Sequence, residues 1–168
     1  MLDKFFRKQS KQDEPIKGAK ALEHPAVPYD PGLVMALTHQ HRALVMLLVK
    51  ASNAAQQDLY EDVQDTLAQF KMGLDEHLKR ENTELHPYLA THLKGEGAKD
   101  LLREMRTNAA LIERTVEGFL NHYLGYPVSA TNVERFEMEI EGVSDEFSQE
   151  VEREEASFYT LYMPPEAY

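Results

Sequence analysis

Between residues 75 and 89, DEHLKRENTELHPYL, two titratable residues interrupt an apolar helical stripe. Val63, Leu67, Phe70 and Leu74 recur at alternating steps of four and three, the repeat of one helix face. The next steps fall on His77 and Glu81, and the stripe resumes at Leu85 and Tyr88. Four residues make about one helical turn, so His77 and Glu81 leave the same side and point where apolar side chains should pack. An imidazole nitrogen and carboxylate oxygens at that spacing reach a common point, as the ligands of a metal ion do.

Three further stripes follow the same rule. The spacing predicts a helix over 31–54, capped by Asp30 with Pro31 at its first position, and its stripe is Val34, Leu37, His41, Leu44, Leu48. His39 lies about 200° round that helix from His41 and should face elsewhere. Ser52-Asn53 should loosen the exit. The second helix, over 57–92, carries Pro87, a residue expected to kink or tighten its last turns. A third, over 98–123, has Leu101, Met105, Asn108, Ile112, Thr115 and Phe119 on one face. A fourth, over 131–162, runs Phe136, Ile140, Val143, Phe147, Glu150, Glu154, Phe158, Leu161, with Val151 an alternative to Glu150 for the inward step. Gly95-Glu96-Gly97 and Gly125-Tyr126-Pro127 separate these helices, and no strand pattern occurs. The expected fold is all-α, an antiparallel up-down-up-down four-helix bundle over 31–168 behind an N-terminal arm, residues 1–30. His86, His92 and His122 read as surface or boundary residues, and the seven methionines as core filling.

The arm differs in charge from the rest. Residues 1–20 carry six Lys/Arg against three Asp/Glu, and the remainder twelve against twenty-six. MLDKFFRKQSKQ sets Leu2, Phe5 and Phe6 beside Lys4, Arg7, Lys8 and Lys11, which suits a handle for an acidic protein partner or an anionic membrane surface. A loosely packed tail is the plainer alternative. The formal charge of −11 argues against nucleic acid as a partner of the body. The chain has no cysteine, which excludes disulfides and thiolate-held metals and fits the reducing cytoplasm, the expected location. No apolar run approaches the roughly 18 residues of a membrane span.

Each predicted helix thus sends a polar residue inward: His41, His77 with Glu81, Asn108, and Glu150 with Glu154. A buried carboxylate must be paired, protonated or metal-bound, and no Lys or Arg shares these stripes. A divalent cation satisfies the arrangement directly.

LTHQHRAL in the first helix and LDEHLKRENTELHPYL in the second resemble the hemerythrin-like, HHE cation-binding domains, whose pattern is H-x₃-E-x₃-L-x-P. MRTNAALIERTV and FSQEVEREEASFYTLYM extend the resemblance over about residues 33–163. It implies a four-helix bundle around a non-haem di-iron centre. His41 and His77 then match the two histidines of one iron, Glu81 matches one bridging carboxylate, and Glu154, or Glu155 beside it, matches the other. Family members hold the second iron with histidines from helices three and four, whereas here the matching positions are Asn108 with Ile112, and Glu150. That departure argues against reversible oxygen carriage.

Three site structures remain open: one metal on His41, His77, Glu81 and Glu154; a dinuclear site in which Glu150 replaces a histidine; and a metal-free core held by histidine–glutamate hydrogen bonds. Iron is the expected ion, as one or two per chain, with manganese or zinc as alternatives. The leading functional expectation is oxygen, nitric oxide or redox sensing through a small diatomic ligand, or metal handling. Next comes a metal-free regulatory bundle that acts through a partner, and last a di-iron oxidase, peroxidase or ferroxidase.

Overall fold

A computed structural model describes residues 27–168. Residues 1–26, and with them the basic handle expected of the arm, lie outside the described residues. Five α-helices follow: α1 (Leu33–Gln56), α2 (Tyr60–Arg80), α3 (His86–His92), α4 (Glu96–Gly125) and α5 (Val133–Arg153), with no strand among the described residues. α2 and α3 form one interrupted helical segment, joined by a π-helical turn at Glu81–Leu85. α5 passes through a second π turn, Glu154–Phe158, into a 3₁₀ turn at Tyr159–Leu161. α1 packs on α2 and α5, and α4 packs on α5 and α2, which closes the antiparallel four-helix bundle. No described helix is long and apolar enough to cross a membrane.

α1 starts two residues later than its cap signal implies. The Asp30 carboxylate accepts the Gly32 N–H at 2.8 Å and the Asp30 carbonyl accepts that of Leu33, so Pro31 and Gly32 form a turn ahead of the helix. At the other end Ser52-Asn53 does not loosen α1. The helix runs on to Gln56, because Ala54 and Ala55 are strong helix formers and pack inside. Asp58 then turns the chain with φ of 57°, a conformation aspartate tolerates.

Pro87 acts through the turn ahead of it. It has no N–H to donate and its ring crowds the carbonyl four residues back, so the wider π turn precedes it. A π turn adds one residue to the helix and rotates the following face by about 100°. His86 is therefore buried rather than at the surface, and Tyr88 and Leu89 both face inward. The same shift in the last helix buries Tyr159 and Tyr162, and leaves Leu161 half-buried where the unbroken stripe places it inside.

α4 keeps Met105, Ile112 and Phe119 of its expected stripe inside, but at Asn108 and Thr115 the next residue, Ala109 or Val116, takes the inward position. Its inward line is Met105, Ala109, Ile112, Val116, Leu120 and Tyr123, and Asn108 and Thr115 sit half-buried at its margin. Turning Val116, Leu120 and Tyr123 inward buries more apolar area than Asn108 and Thr115 offer. The methionines also depart from expectation. Met35, Met46, Met72 and Met138 are exposed, and among the described residues only Met105 is buried.

The core has two apolar parts with a polar layer between them. One holds Leu44, Leu48, Val63, Leu67, Phe70, Phe119, Tyr123, Phe136, Ile140 and Phe147. The other holds Leu33, Leu37, Leu85, Tyr88, Leu89, Met105, Phe158, Tyr159 and Tyr162, and Val27 and Tyr29 pack against it, so residues 27–30 adhere to the bundle. His41, His77, Glu81, Glu150 and Glu154 occupy the level between.

Candidate metal centre

His41 comes from the middle of α1 and His77 from the last turn of α2. Glu81 and Glu154 are each the first residue of a π turn. All four are buried, and each offers a ligand atom within 4.8 Å of the other three. His41 Nε2 lies 3.0 Å from His77 Nε2 and 3.2 Å from Glu154 Oε2, and His77 Nε2 lies 3.6 Å from Glu81 Oε1. Ligands bound at about 2.1 Å stand about 3.0–3.4 Å apart round an octahedral or tetrahedral ion, so these separations need little change to accept one.

The outer nitrogens fit the same reading. His41 Nδ1 donates to Glu155 Oε1 at 3.0 Å, and His77 Nδ1 donates to Gln40 Oε1 at 3.2 Å. With Nδ1 committed outward, each ring presents Nε2 to the interior, the arrangement that holds a metal-ligating histidine in place. Glu155 is therefore an outer partner of His41, and Glu154 is the carboxylate that faces the cluster. Tyr159 completes this wall. Its hydroxyl donates to Glu81 Oε1 at 2.8 Å and its ring stacks on His41, with centroids 5.5 Å apart.

Burial and neighbouring charges shift the titration of these groups in opposite directions. Burial pulls the His41 pKa down, but hydrogen bonds to Glu154 and Glu155 outweigh it and the net shift is upward. Burial, with His41 and Arg80 adding to it, pushes His77 down to about 3. Burial and the neighbouring Glu154 push Glu81 up to about 8, against the Tyr159 hydrogen bond and His41, which act the other way. His41 Nε2 and His77 Nε2, 3.0 Å apart, face one another across the position that an ion bound by both rings would take.

Glu150 is buried in the same layer. One carboxylate oxygen pairs with Arg153 at the bundle edge, while Oε1 is enclosed and has no partner. Burial and the nearby Glu154 raise its pKa. An unpartnered buried carboxylate oxygen costs about 1–3 kcal/mol or more, a penalty that a proton or a cation removes. Glu150 lines a cavity of about 30 Å³, room for a water molecule or an ion, together with His41, His77, Glu81 and Glu154. The donor set of the layer, two imidazoles and several carboxylates, fits a first-row divalent ion.

α4 closes the cavity with Ala109, Ile112, Glu113 and Val116. Ile112 lines it as its stripe position implies; Asn108 does not. Glu113, Gln40, Glu155 and Tyr159 are site residues that the stripes did not single out. Tyr159 is hidden by the π-turn shift, while Gln40 and Glu155 sit next in sequence to His41 and Glu154, where adjacency was the available signal.

The chain matches the family model described as the hemerythrin HHE cation binding domain over residues 33–162. It belongs to the hemerythrin HHE family. A search of curated proteins and one of solved structures gave no match. The matched span contains all four helices of the HHE bundle and every residue of the polar layer.

Proposed function

We propose that this HHE domain binds one metal ion, iron by preference, through His41, His77, Glu81 and Glu154, and that it serves in sensing oxygen, nitric oxide or redox state or in handling the metal. The observation that carries this reading is the pair of histidines with Nδ1 tied outward to Glu155 and Gln40 and Nε2 facing inward at 3.0 Å. Two neutral imidazoles with carboxylates suit Fe(II), and manganese or zinc could take the same set. Bound there, iron would supply a position for a small diatomic ligand. Gln40, Glu155 and Tyr159 orient the donors, and the apolar cover of Leu74, Ile112, Val116 and Phe147 limits water.

The α4 wall weighs against reversible oxygen carriage, because it has no histidine for a second ion. A second ion held by carboxylates alone is favoured only by the unpartnered Oε1 of Glu150, with Glu113 across the cavity.

The test is metal content per chain, by elemental analysis of untagged protein expressed with iron and purified without chelator, beside a His77→Ala variant. The expected result is about one metal per chain, lost in the variant. About two would favour the carboxylate-held second ion. None in either sample, with both folded, would refute the metal reading and leave the metal-free regulatory bundle.

A further inference from the structure

Two adjoining grooves follow the outer side of α1. One, of about 780 Å³, is largely apolar, with Ala43, Met46, Leu47, Val49 and Leu59 along it. The other, of about 660 Å³, lies between α1 and α5 and is lined by Glu134, Glu137, Glu141 and Asp145 around Met138. Val49 and Asn53 line both, so the two make one continuous face.

That face is unusual in two respects. Met46 and Met138 are 71% and 69% exposed, and Val49 and Leu59 are exposed beside them, four of the nine large apolar side chains exposed among the described residues. None of the four carboxylates has an ion-pair partner among the described residues, and Arg135 close by is taken by Glu139 at 2.7 Å. A complementary ligand must bring apolar groups and positive charge together on a short segment.

The chain itself contains such a segment. Leu2, Phe5 and Phe6 recur at helical spacing, and Lys4, Arg7, Lys8 and Lys11 recur at the same spacing on other positions. We propose that the apolar and acidic grooves along α1 and α5 are the docking site for the chain's own residues 2–11. Phe5 and Phe6 meet the methionine-lined groove, and the four cations meet Glu134, Glu137, Glu141 and Asp145.

Reach is no obstacle. Residues 12–26 can span up to about 50 Å, and Val49 lies about 24 Å along α1 from Leu33. Residues 12–26 are long enough to span the two sites, so docking is intramolecular, at an effective concentration of up to roughly millimolar, and a weak contact is populated. In about 0.1 M salt the screening length is about 10 Å, short enough to isolate facing pairs from the distant charges of the bundle. An external anionic surface would have to displace the arm from its own bundle, which makes release of the arm a competition between like surfaces. The proposal is independent of metal binding.

The absence of cysteine permits clean labelling, so the test is energy transfer between dyes at Ser10→Cys and Gln149→Cys in the full chain. Transfer should be strong in about 0.1 M salt and fall about two-fold or more in about 0.5 M. It should fall as far in Glu137→Lys/Glu141→Lys/Asp145→Lys, and in Lys4→Glu/Arg7→Glu/Lys8→Glu, which leaves the bundle untouched. Combining the two sets of reversals should restore it. Equal transfer in the wild type and both reversed chains would overturn the proposal. So would transfer seen only between singly labelled molecules after mixing, because the arm would then dock on a second copy.

Discussion

His41 and His77 face the cavity from α1 and α2 with both ring nitrogens engaged, whereas the opposing stretch of α4 offers Ala109, Ile112 and Val116. On the first side three of the four donors have a second contact that sets their direction: Glu155 for His41, Gln40 for His77, Tyr159 for Glu81. On the other side Glu113 alone carries a charge at the cavity. Donors from α1, α2 and the end of α5 suffice for one ion, and α4 contributes cover. Cover has an electrostatic effect of its own, since a dry wall strengthens every charge interaction in the layer. It also makes the layer's spare carboxylate, Glu150, costly while no cation is present.

The largest test of this asymmetry is to give α4 a donor. Ile112→His should raise metal content from about one to about two per chain, with Glu150 completing the new position, measured by elemental analysis and by titration of the chelated protein. A value that stays at one would mean that something other than the missing histidine limits the α4 side.

Removing the metal should expose the protons of the donor side. Glu81 at about 8 is raised above its ordinary 4.5, so its contribution to stability is complete below about 4.5 and lost as pH rises through about 8. His77 at about 3 is depressed below its ordinary 6.5, so its contribution is complete above about 6.5 and lost as pH falls towards 3. The Tm of the chelated protein should therefore decline from about pH 6.5 to 8, where the His77 contribution no longer changes and the raised His41 acts in the same direction as Glu81. In metal-loaded protein the decline should vanish, because the ion needs Glu81 ionised and its binding releases protons. A Tm that rises over that interval without metal would show that Glu81 is charged in the empty site.

Two smaller effects sharpen the boundary of the donor side. Tyr159→Phe removes the hydroxyl donor from Glu81 Oε1 and should cost about 1–3 kcal/mol in urea unfolding of the chelated protein. Metal should recover part of that loss by replacing the donor. Asn108→Ala should change stability by no more than about 0.5 kcal/mol and leave metal content unaltered, as expected of a marginal residue outside the cavity. Loss of metal in that variant would return Asn108 to the site.

Several features of this protein are legible in the chain alone. Polar residues on an apolar stripe cannot be hidden, so His41, His77, Glu81, Glu150 and Glu154 stand out wherever period and chemistry disagree. All five are buried in one layer. The expected bundle follows from the same stripes. Less legible were the places where the period itself changes. Two π turns rotate the ends of α2 and α5 and bring Tyr159 and His86 inside, and at Asn108 and Thr115 of α4 the next residue takes the inward position.

The amino-acid sequence by itself determined that four helices must pack together, and that the packing would trap histidine and glutamate between two apolar blocks. Helical period and the cost of exposing Leu, Val and Phe are enough for that. Only the tertiary structure decided which carboxylate faces His41 and which one braces it, because Glu154 and Glu155 are neighbours in sequence and a single π turn aims one at Nε2 and the other at Nδ1. It also decided that α4 turns Ile112 and Ala109 rather than Asn108 to the cavity. That choice depends on the total apolar area buried along a 30-residue helix, which no local pattern around Asn108 contains.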